Sequence, residues 1–167
     1  MSIELRPATI ADTPGITATF LACWRGSYAN VLPLRLVELM TDDKADRMWT
    51  RVLAEAAPGE VMVAVCTGTA DVLGVTRFAV FGNDAGMVHS LYVSPCSQGS
   101  GVGAKLLIAA DSALRRAGVE IARLWVFRDN APSIGFYARQ GWLPDGETRV
   151  QEEFGEPEIR LTHPLLP

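Results

Sequence analysis

The residues Gln98-Gly99-Ser100-Gly101-Val102-Gly103 lie between a strand-like run, Val88-His89-Ser90-Leu91-Tyr92-Val93, and an amphipathic helical run that begins at Val102. No other stretch constrains the fold as much. A glycine-rich turn from strand into helix leaves the first helical N–H groups without partners, and the positive end of the helix dipole adds to them. Together they form a site for phosphate oxygens. Glycine permits φ > 0 in the turn and lets a pyrophosphate approach where a Cβ would block it. A tight structural loop would have the same composition, so the rest of the chain has to decide. Spacing excludes two kinds of nucleotide loop. Glycines at 99, 101 and 103 give G-x-G-x-G instead of the dinucleotide form G-x-G-x-x-G, and Lys105 is followed by Leu106, not by the Ser or Thr of a P-loop.

The pattern around this turn is that of an α/β chain. Ile3 to Arg6 alternates as a short strand ended by Pro7, and Asp12 or Thr13 is positioned to cap a helix running to about Ser27 with Pro14 in its first turn. Ile16, Phe20, Cys23 and Trp24 form its expected buried stripe. Leu34 to Ala56 reads as helix broken near Thr41-Asp42-Asp43, where an aspartate is placed to cap the second piece. Val61 to Cys66, Val72 to Phe81 and Met87 to Val93 read as strands, the first two joined as a hairpin through Thr67-Gly68-Thr69-Ala70-Asp71. After the glycine turn, Val102, Leu106, Leu107, Ala110, Ala113, Leu114 and Ala117 recur at helical spacing, with Lys105, Asp111, Arg115 and Arg116 on the other face. Gly118 stands where a C-terminal cap belongs. A strand over Ala122 to Phe127, a helix over Ala131 to Gln140, a strand from Trp142 and a last strand near Glu158 to Thr162 complete the chain. The order β-α-α-β-β-β-α-β-α-β-β predicts a mixed α+β sheet with a parallel crossover at its centre.

Length and charge narrow the function classes. The 167 residues suit one domain, 1–167, with a substantial core. Fifteen basic against nineteen acidic residues, a net charge of −4 and no basic run argue against a nucleic-acid partner. No stretch is long and apolar enough for a bilayer span, and Met1 to Arg6 lacks an apolar signal core. Cys23, Cys66 and Cys96 are scattered and odd in number, so neither a disulfide framework nor a zinc site is expected, and His89 and His163 lie too far apart for a metal motif. The expectation is a cytoplasmic, metal-free protein. Cys96 adjoins the glycine turn, but no nearby histidine activates it, so it reads as a surface loop thiol.

Read from Gln98 through Gly101 to Gly103, the loop is Gln-x-x-Gly-x-Gly. It resembles the acyl-CoA pyrophosphate loop of the GCN5-related N-acetyltransferases, the GNAT superfamily. Two further segments carry the same resemblance. His89-Ser90-Leu91-Tyr92-Val93-Ser94-Pro95 is similar to the family's central fourth strand. Asn130-Ala131 followed by Phe136-Tyr137-Ala138-Arg139-Gln140-Gly141-Trp142 is similar to its N-x…F-Y-x-x-x-G-[FW] segment. The order of elements matches the GNAT fold from end to end. Trp24-Arg25, Tyr28 and Leu32-Pro33 resemble a pattern common in bacterial members.

The resemblance implies an acyltransferase that moves an acetyl group directly from acetyl-CoA to the amine of a small molecule or peptide. In it, the strand Leu91-Tyr92-Val93 binds the pantetheine arm through the N–H groups of Leu91 and Val93, and one of these polarises the thioester carbonyl. Gln98, Gly99, Ser100, Gly101, Val102 and Gly103 hold the pyrophosphate, and Asn130 and Ser133 bond the pantetheine or phosphate end. Tyr137 is the expected general acid for the departing thiolate, against a reading in which it packs on Trp142. Where many members carry a glutamate base, this chain has Met87. His89 lies two residues on, on the same strand face, and its imidazole is the expected base. A locally bonded histidine, with a water chain, Asp84 or an N-terminal residue as base, is the competing reading. Trp24 and Tyr28 are expected to line the acceptor pocket, although aromatic residues at helical spacing are more often core. A non-catalytic acyl-CoA sensor and a protein N-terminal acetyltransferase stand as alternatives, and the resemblance leaves room for a homodimer.

Overall fold

A parallel crossover sits where the glycine turn requires one. Strand β4, Ala85–Val93, leads into helix α4, Val102–Arg116, and then strand β5, Ile121–Phe127. β4 and β5 pair in parallel at Ala85↔Ile121, Gly86↔Ala122 and Met87↔Arg123. The structure, a computed structural model, describes residues 1–82 and 84–165. Before the crossover come β1 (Ile3–Pro7), α1 (Thr13–Gly26), α2 (Leu34–Glu38), α3 (Asp42–Glu55), β2 (Val61–Cys66) and β3 (Val72–Phe81). After it come α5 (Ala131–Arg139), β6 (Leu143–Val150) and β7 (Pro157–Pro164). The strands form one mixed sheet in the order β1-β2-β3-β4-β5-β7-β6. This is the α/β architecture and element order the sequence predicts.

Two compact units are present: Met1–Phe78 with Ser90–Ala110, and Ala79–His89 with Asp111–Pro167. In the first, β2 is buried at Val61, Val63, Ala64 and Val65, a nearly continuous apolar strand as expected of one covered on both faces. Ile16, Phe20, Cys23 and Trp24 of α1 are all buried, as their spacing predicts. Val102 and Leu106, in the first turns of α4, are fully buried with Ala64 and Leu73. Burying side chains of that size stabilises the fold by about 1.5–3 kcal/mol each. They reach the sheet because β3 carries Gly74: a Cβ there would lie 2.8 Å from Leu106 Cδ1 and 3.0 Å from Val102 Cγ1. In the second unit Gly86 plays the same part for the far end of α4, where a Cβ would meet Leu114 at 2.7 Å. Leu124, Trp142 and Leu161 fill the core there.

Four local expectations are corrected. The break before α3 falls where predicted, but Thr41 makes the cap, its hydroxyl accepting from the Lys44 N–H at 3.1 Å. Asp42 instead pairs with Arg25 at 2.5 Å. Asp12 precedes α1 as expected but makes no side-chain cap bond. Its carboxylate is held by the Arg6 guanidinium at 2.8 Å on both oxygens and by the Thr9 N–H at 2.8 Å. Asp111, assigned by helical spacing to the exposed face of α4, is buried. Helical periodicity records which face is polar and does not register that β7 brings His163 to that position. Ala117, assigned to the apolar stripe, lies beyond the end of α4 and is exposed.

Candidate active site

The turn that opens α4 has the conformation its glycines permit. Gly99 and Gly101 adopt φ of +79° and +87°, values at which a Cβ is strained. A Cβ on either would meet nothing within 4 Å, so the backbone there faces open space. The Gly101 carbonyl accepts from the Lys105 N–H at 3.0 Å, which starts the helix. Among the described hydrogen bonds, none takes the N–H of Gly99, Gly101, Val102, Gly103 or Ala104. Five donors thus gather at the positive end of a 15-residue helix. Ser100 turns its hydroxyl inward to the Ser97 carbonyl. Gln98 braces the turn, its Nε2 donating to Ser27 Oγ and to the Val93 carbonyl, each at 3.2 Å.

The end of β4 presents an ordered edge. The buried hydroxyl of Thr76 donates to the Ser90 carbonyl at 2.9 Å, and the Ser94 N–H donates to the Leu73 carbonyl at 2.9 Å. Both partners lie on β3, and the Tyr92 carbonyl also lies close to Gly74 of that strand. In a trans peptide the N–H points opposite to the C=O of the same unit. The N–H groups of Leu91 and Val93 therefore point away from β3. Their side chains pack on the cluster of Ala64, Leu73, Val102 and Leu106. Tyr92 projects from the other face, edge-on to Phe20 at 4.9 Å and to Trp49 at 6.2 Å. Trp24 is buried in the same aromatic group, against Phe20 at 5.6 Å and Tyr28 at 5.1 Å. Tyr28 is only half-buried, in a short 3-10 turn. The structure thus brings Leu91, Tyr92, Val93, the loop from Gln98 to Gly103, Trp24 and Tyr28 into one unit.

The second unit holds the other candidates. Asn130 caps α5, its Oδ1 accepting from the Ser133 N–H at 3.2 Å, and Ser133 is half-buried one turn before Tyr137. Tyr137 is buried, between Phe136 at 5.2 Å and Trp142 at 6.3 Å. His89 is exposed on β4, Met87 is half-buried opposite Arg123, and Asp84 is exposed. Cys96, back in the first unit, is an exposed thiol, drawn below its ordinary pKa first by the Ser94 hydroxyl at 3.1 Å and then by Ser97.

Sequence reasoning missed two groups. Thr76 was hidden as one polar residue in the apolar run of β3, a signal visible only in hindsight. Arg77, its neighbour, has a buried Nε with no acceptor among the described residues, and a cation inside that same run is the sign that a partner is expected.

A family model described as the acetyltransferase (GNAT) family matches residues 23–142, a span that includes β4, the glycine turn and the Tyr137 helix. The chain belongs to that family. It is 30% identical over 161 residues to an L-methionine sulfoximine/L-methionine sulfone acetyltransferase of Pseudomonas aeruginosa, covering 93% of this chain and 89% of that one. It is 22% identical over 158 residues to a spermidine N(1)-acetyltransferase of Thermoplasma acidophilum, covering 92% and 98%. The fold matches the crystal structure of the PaiA N-acetyltransferase of Thermoplasma acidophilum in complex with coenzyme A, with a TM-score of 0.74 over 98% of this chain and 100% of that one, at 19% identity. This GNAT protein is accordingly an acyltransferase. Among its described residues no helix is long and apolar enough to cross a membrane, and no cluster of three metal-ligating side chains occurs.

Proposed function

We propose that this acetyltransferase, acting through residues 1–167 as one domain, transfers acetyl from acetyl-CoA to the primary amine of a small amino-acid-like compound. The observation that carries the acetyl-CoA assignment is the turn at Gly99 and Gly101, open above and rich in unpartnered N–H groups, which fits a pyrophosphate. Gln98 and Ser100 shape that turn, Val102 and Gly103 supply donors, and Asn130 and Ser133 serve the pantetheine end. The outward edge of Leu91-Tyr92-Val93 supplies N–H groups for the arm and for the thioester oxygen. As the amine nitrogen forms its bond to the acetyl carbon, the C–S bond breaks. The amine proton passes to His89 and the thiolate takes a proton from the Tyr137 hydroxyl.

The acceptor class rests on two supports. The relative that acts on methionine sulfoximine and methionine sulfone is the more similar of the two compared, and Arg77 offers a buried guanidinium nitrogen that a carboxylate would satisfy and a polyamine would not. Tyr28, half-buried with Trp24 packed against it at 5.1 Å, is assigned to the acceptor side. Three free thiols suit a reducing, cytoplasmic setting.

Thiol release with acetyl-CoA, comparing methionine sulfone, methionine sulfoximine, spermidine and an N-terminal peptide, tests the reading. Turnover of the two amino-acid analogues, with KM raised at least tenfold by Arg77→Met, is expected. Preference for spermidine, or for the peptide, overturns the acceptor class. Binding of acetyl-CoA without turnover of any amine overturns the catalytic assignment in favour of a sensor.

A further inference from the structure

Asp111 and His163 play no part in the proposed transfer, yet their surroundings are unusually specific. Asp111 is buried on α4, and its Oδ1 has no hydrogen-bond partner among the described residues. Its Oδ2 lies 3.7 Å from His163 Nε2 on β7. The other ring nitrogen, His163 Nδ1, lies 3.0 Å from the carbonyl oxygen of Gly141. A carbonyl only accepts, so Nδ1 must carry a hydrogen. Nε2 then faces the carboxylate with either a lone pair or a proton. Without a proton between them, two sets of lone pairs meet in a buried site. With one, the imidazole is attracted to Asp111 and bonded to Gly141 at the same time.

The ring is fitted to the turn it holds. Gly141 adopts φ of +89°, and a Cβ there would lie 3.0 Å from His163 Cε1 and 3.2 Å from Nδ1. On its other side the imidazole stacks with Trp142 at 5.4 Å and 18° between planes, and Trp142 is fully buried. This turn closes α5: the Gly141 N–H donates to the Ala138 carbonyl and the Trp142 N–H to the Tyr137 carbonyl, both at 3.0 Å. We propose that the Asp111 carboxyl group, 3.7 Å from Nε2, orients the His163 ring so that its Nδ1–H clamps the Gly141 carbonyl, and that the two act as positioning residues for Tyr137 on α5. The proposal rests on Tyr137 being the general acid.

The charges around the pair are few. Burial pushes the Asp111 carboxyl up to about 6, although His163 and, one turn along α4, Arg115 pull it down. From β5 the residue opposite His163 is Ala122, which is uncharged, and the Gly141–Trp142 turn brings only a carbonyl and a ring. Asp111 is therefore protonated below about pH 6; above that, its carboxylate draws the ring hydrogen to Nε2 and leaves a bare Nδ1 against the Gly141 carbonyl, which opens the clamp. Asp111→Asn replaces the carboxyl group with an amide, which keeps a donor toward Nε2 and does not ionise.

The test uses the whole protein and needs no turnover for its main arm. His163 is one of two histidines, so its ring resonances are followed by NMR as pH is raised, together with amide exchange at Gly141 and Trp142 corrected for intrinsic rate. In the wild type the His163 resonances and the protection of both amides are expected to change together as Asp111 ionises near pH 6. Asp111→Asn should alter the His163 curve and make protection independent of pH, and His163→Phe, which keeps the stack, should speed exchange at least tenfold. Identical His163 curves in wild type and Asp111→Asn, or unchanged protection in both variants, overturns the clamp. The second arm is turnover of methionine sulfone: His163→Phe should lower kcat about 10- to 100-fold with the KM for acetyl-CoA within twofold, and Asp111→Asn should keep kcat while flattening its alkaline decline. An unchanged kcat in His163→Phe, where Tyr137→Phe is slow, overturns the positioning role. If Tyr137→Phe is as fast as wild type while exchange still follows the clamp, the fault lies with Tyr137 and not with the pair.

Discussion

Gly74 lies directly beneath Leu106: a Cβ built on this glycine would stand 2.8 Å from the Leu106 Cδ1 and 3.1 Å from the Tyr92 carbonyl oxygen. One missing methyl group thus sets how closely the first turns of α4 approach the strands, and with that the height of the glycine turn above them. Substituting Gly74→Val is expected to destabilise the protein by about 1–3 kcal/mol through overpacking and to weaken acetyl-CoA binding, because the loop donors move with α4. Chemical denaturation and calorimetry check both. A full loss of stability with undiminished affinity in the remaining folded protein would separate helix seating from the loop.

Gly101→Glu is expected to abolish acetyl-CoA binding while leaving the fold intact. The site above Gly101 is open, so the side chain fits, but its φ of +87° becomes strained and a negative charge enters a ring of N–H donors. Equal affinity of wild type and variant by calorimetry would falsify the loop assignment.

Tyr137→Phe keeps the ring packed against Phe136 and Trp142 and removes only the hydroxyl. Acetyl-CoA affinity should hold and turnover should fall about 10²- to 10⁴-fold. A variant as fast as the wild type would assign the thiolate's proton to water.

Thr76→Val is nearly isosteric and deletes the hydroxyl that fixes the Ser90 carbonyl. Because that carbonyl and the Leu91 N–H belong to one peptide unit, kcat should drop more than the affinity for acetyl-CoA, and Thr76→Ser should restore it. A drop matched in Thr76→Ser would point to packing of the methyl group instead.

Asp111→Asn is expected to stabilise the protein at neutral pH. The carboxyl pKa is raised by burial from 3.8 to about 6 in the folded state, so the wild type is favoured when Asp111 is protonated and loses that stabilisation as pH rises. The gap between variant and wild type should open between about pH 4 and pH 6, where the carboxyl group ionises in the unfolded and then in the folded state, and stay level above. Urea denaturation at pH 4 and pH 7.5 measures it, and an equal gap at both values rejects the assignment.

Local pattern alone determined much of this protein. Alternation and helical spacing gave every strand and helix in order, since those periods follow from which faces meet water. The spacing of Gln98, Gly101 and Gly103 marked the turn proposed to hold the pyrophosphate, because its open donors belong to the backbone of consecutive residues. Tertiary structure alone decided whatever depends on residues distant in the chain. Helical spacing put Asp111 on the polar face, correctly for α4 by itself, and only the arrival of β7 with His163 52 residues later made it a buried group. Thr76 likewise looks like an ordinary strand threonine until β4 brings the Ser90 carbonyl to 2.9 Å from its hydroxyl. Periodicity encodes the environment a residue needs, whereas the partner it meets there depends on how the sheet is ordered.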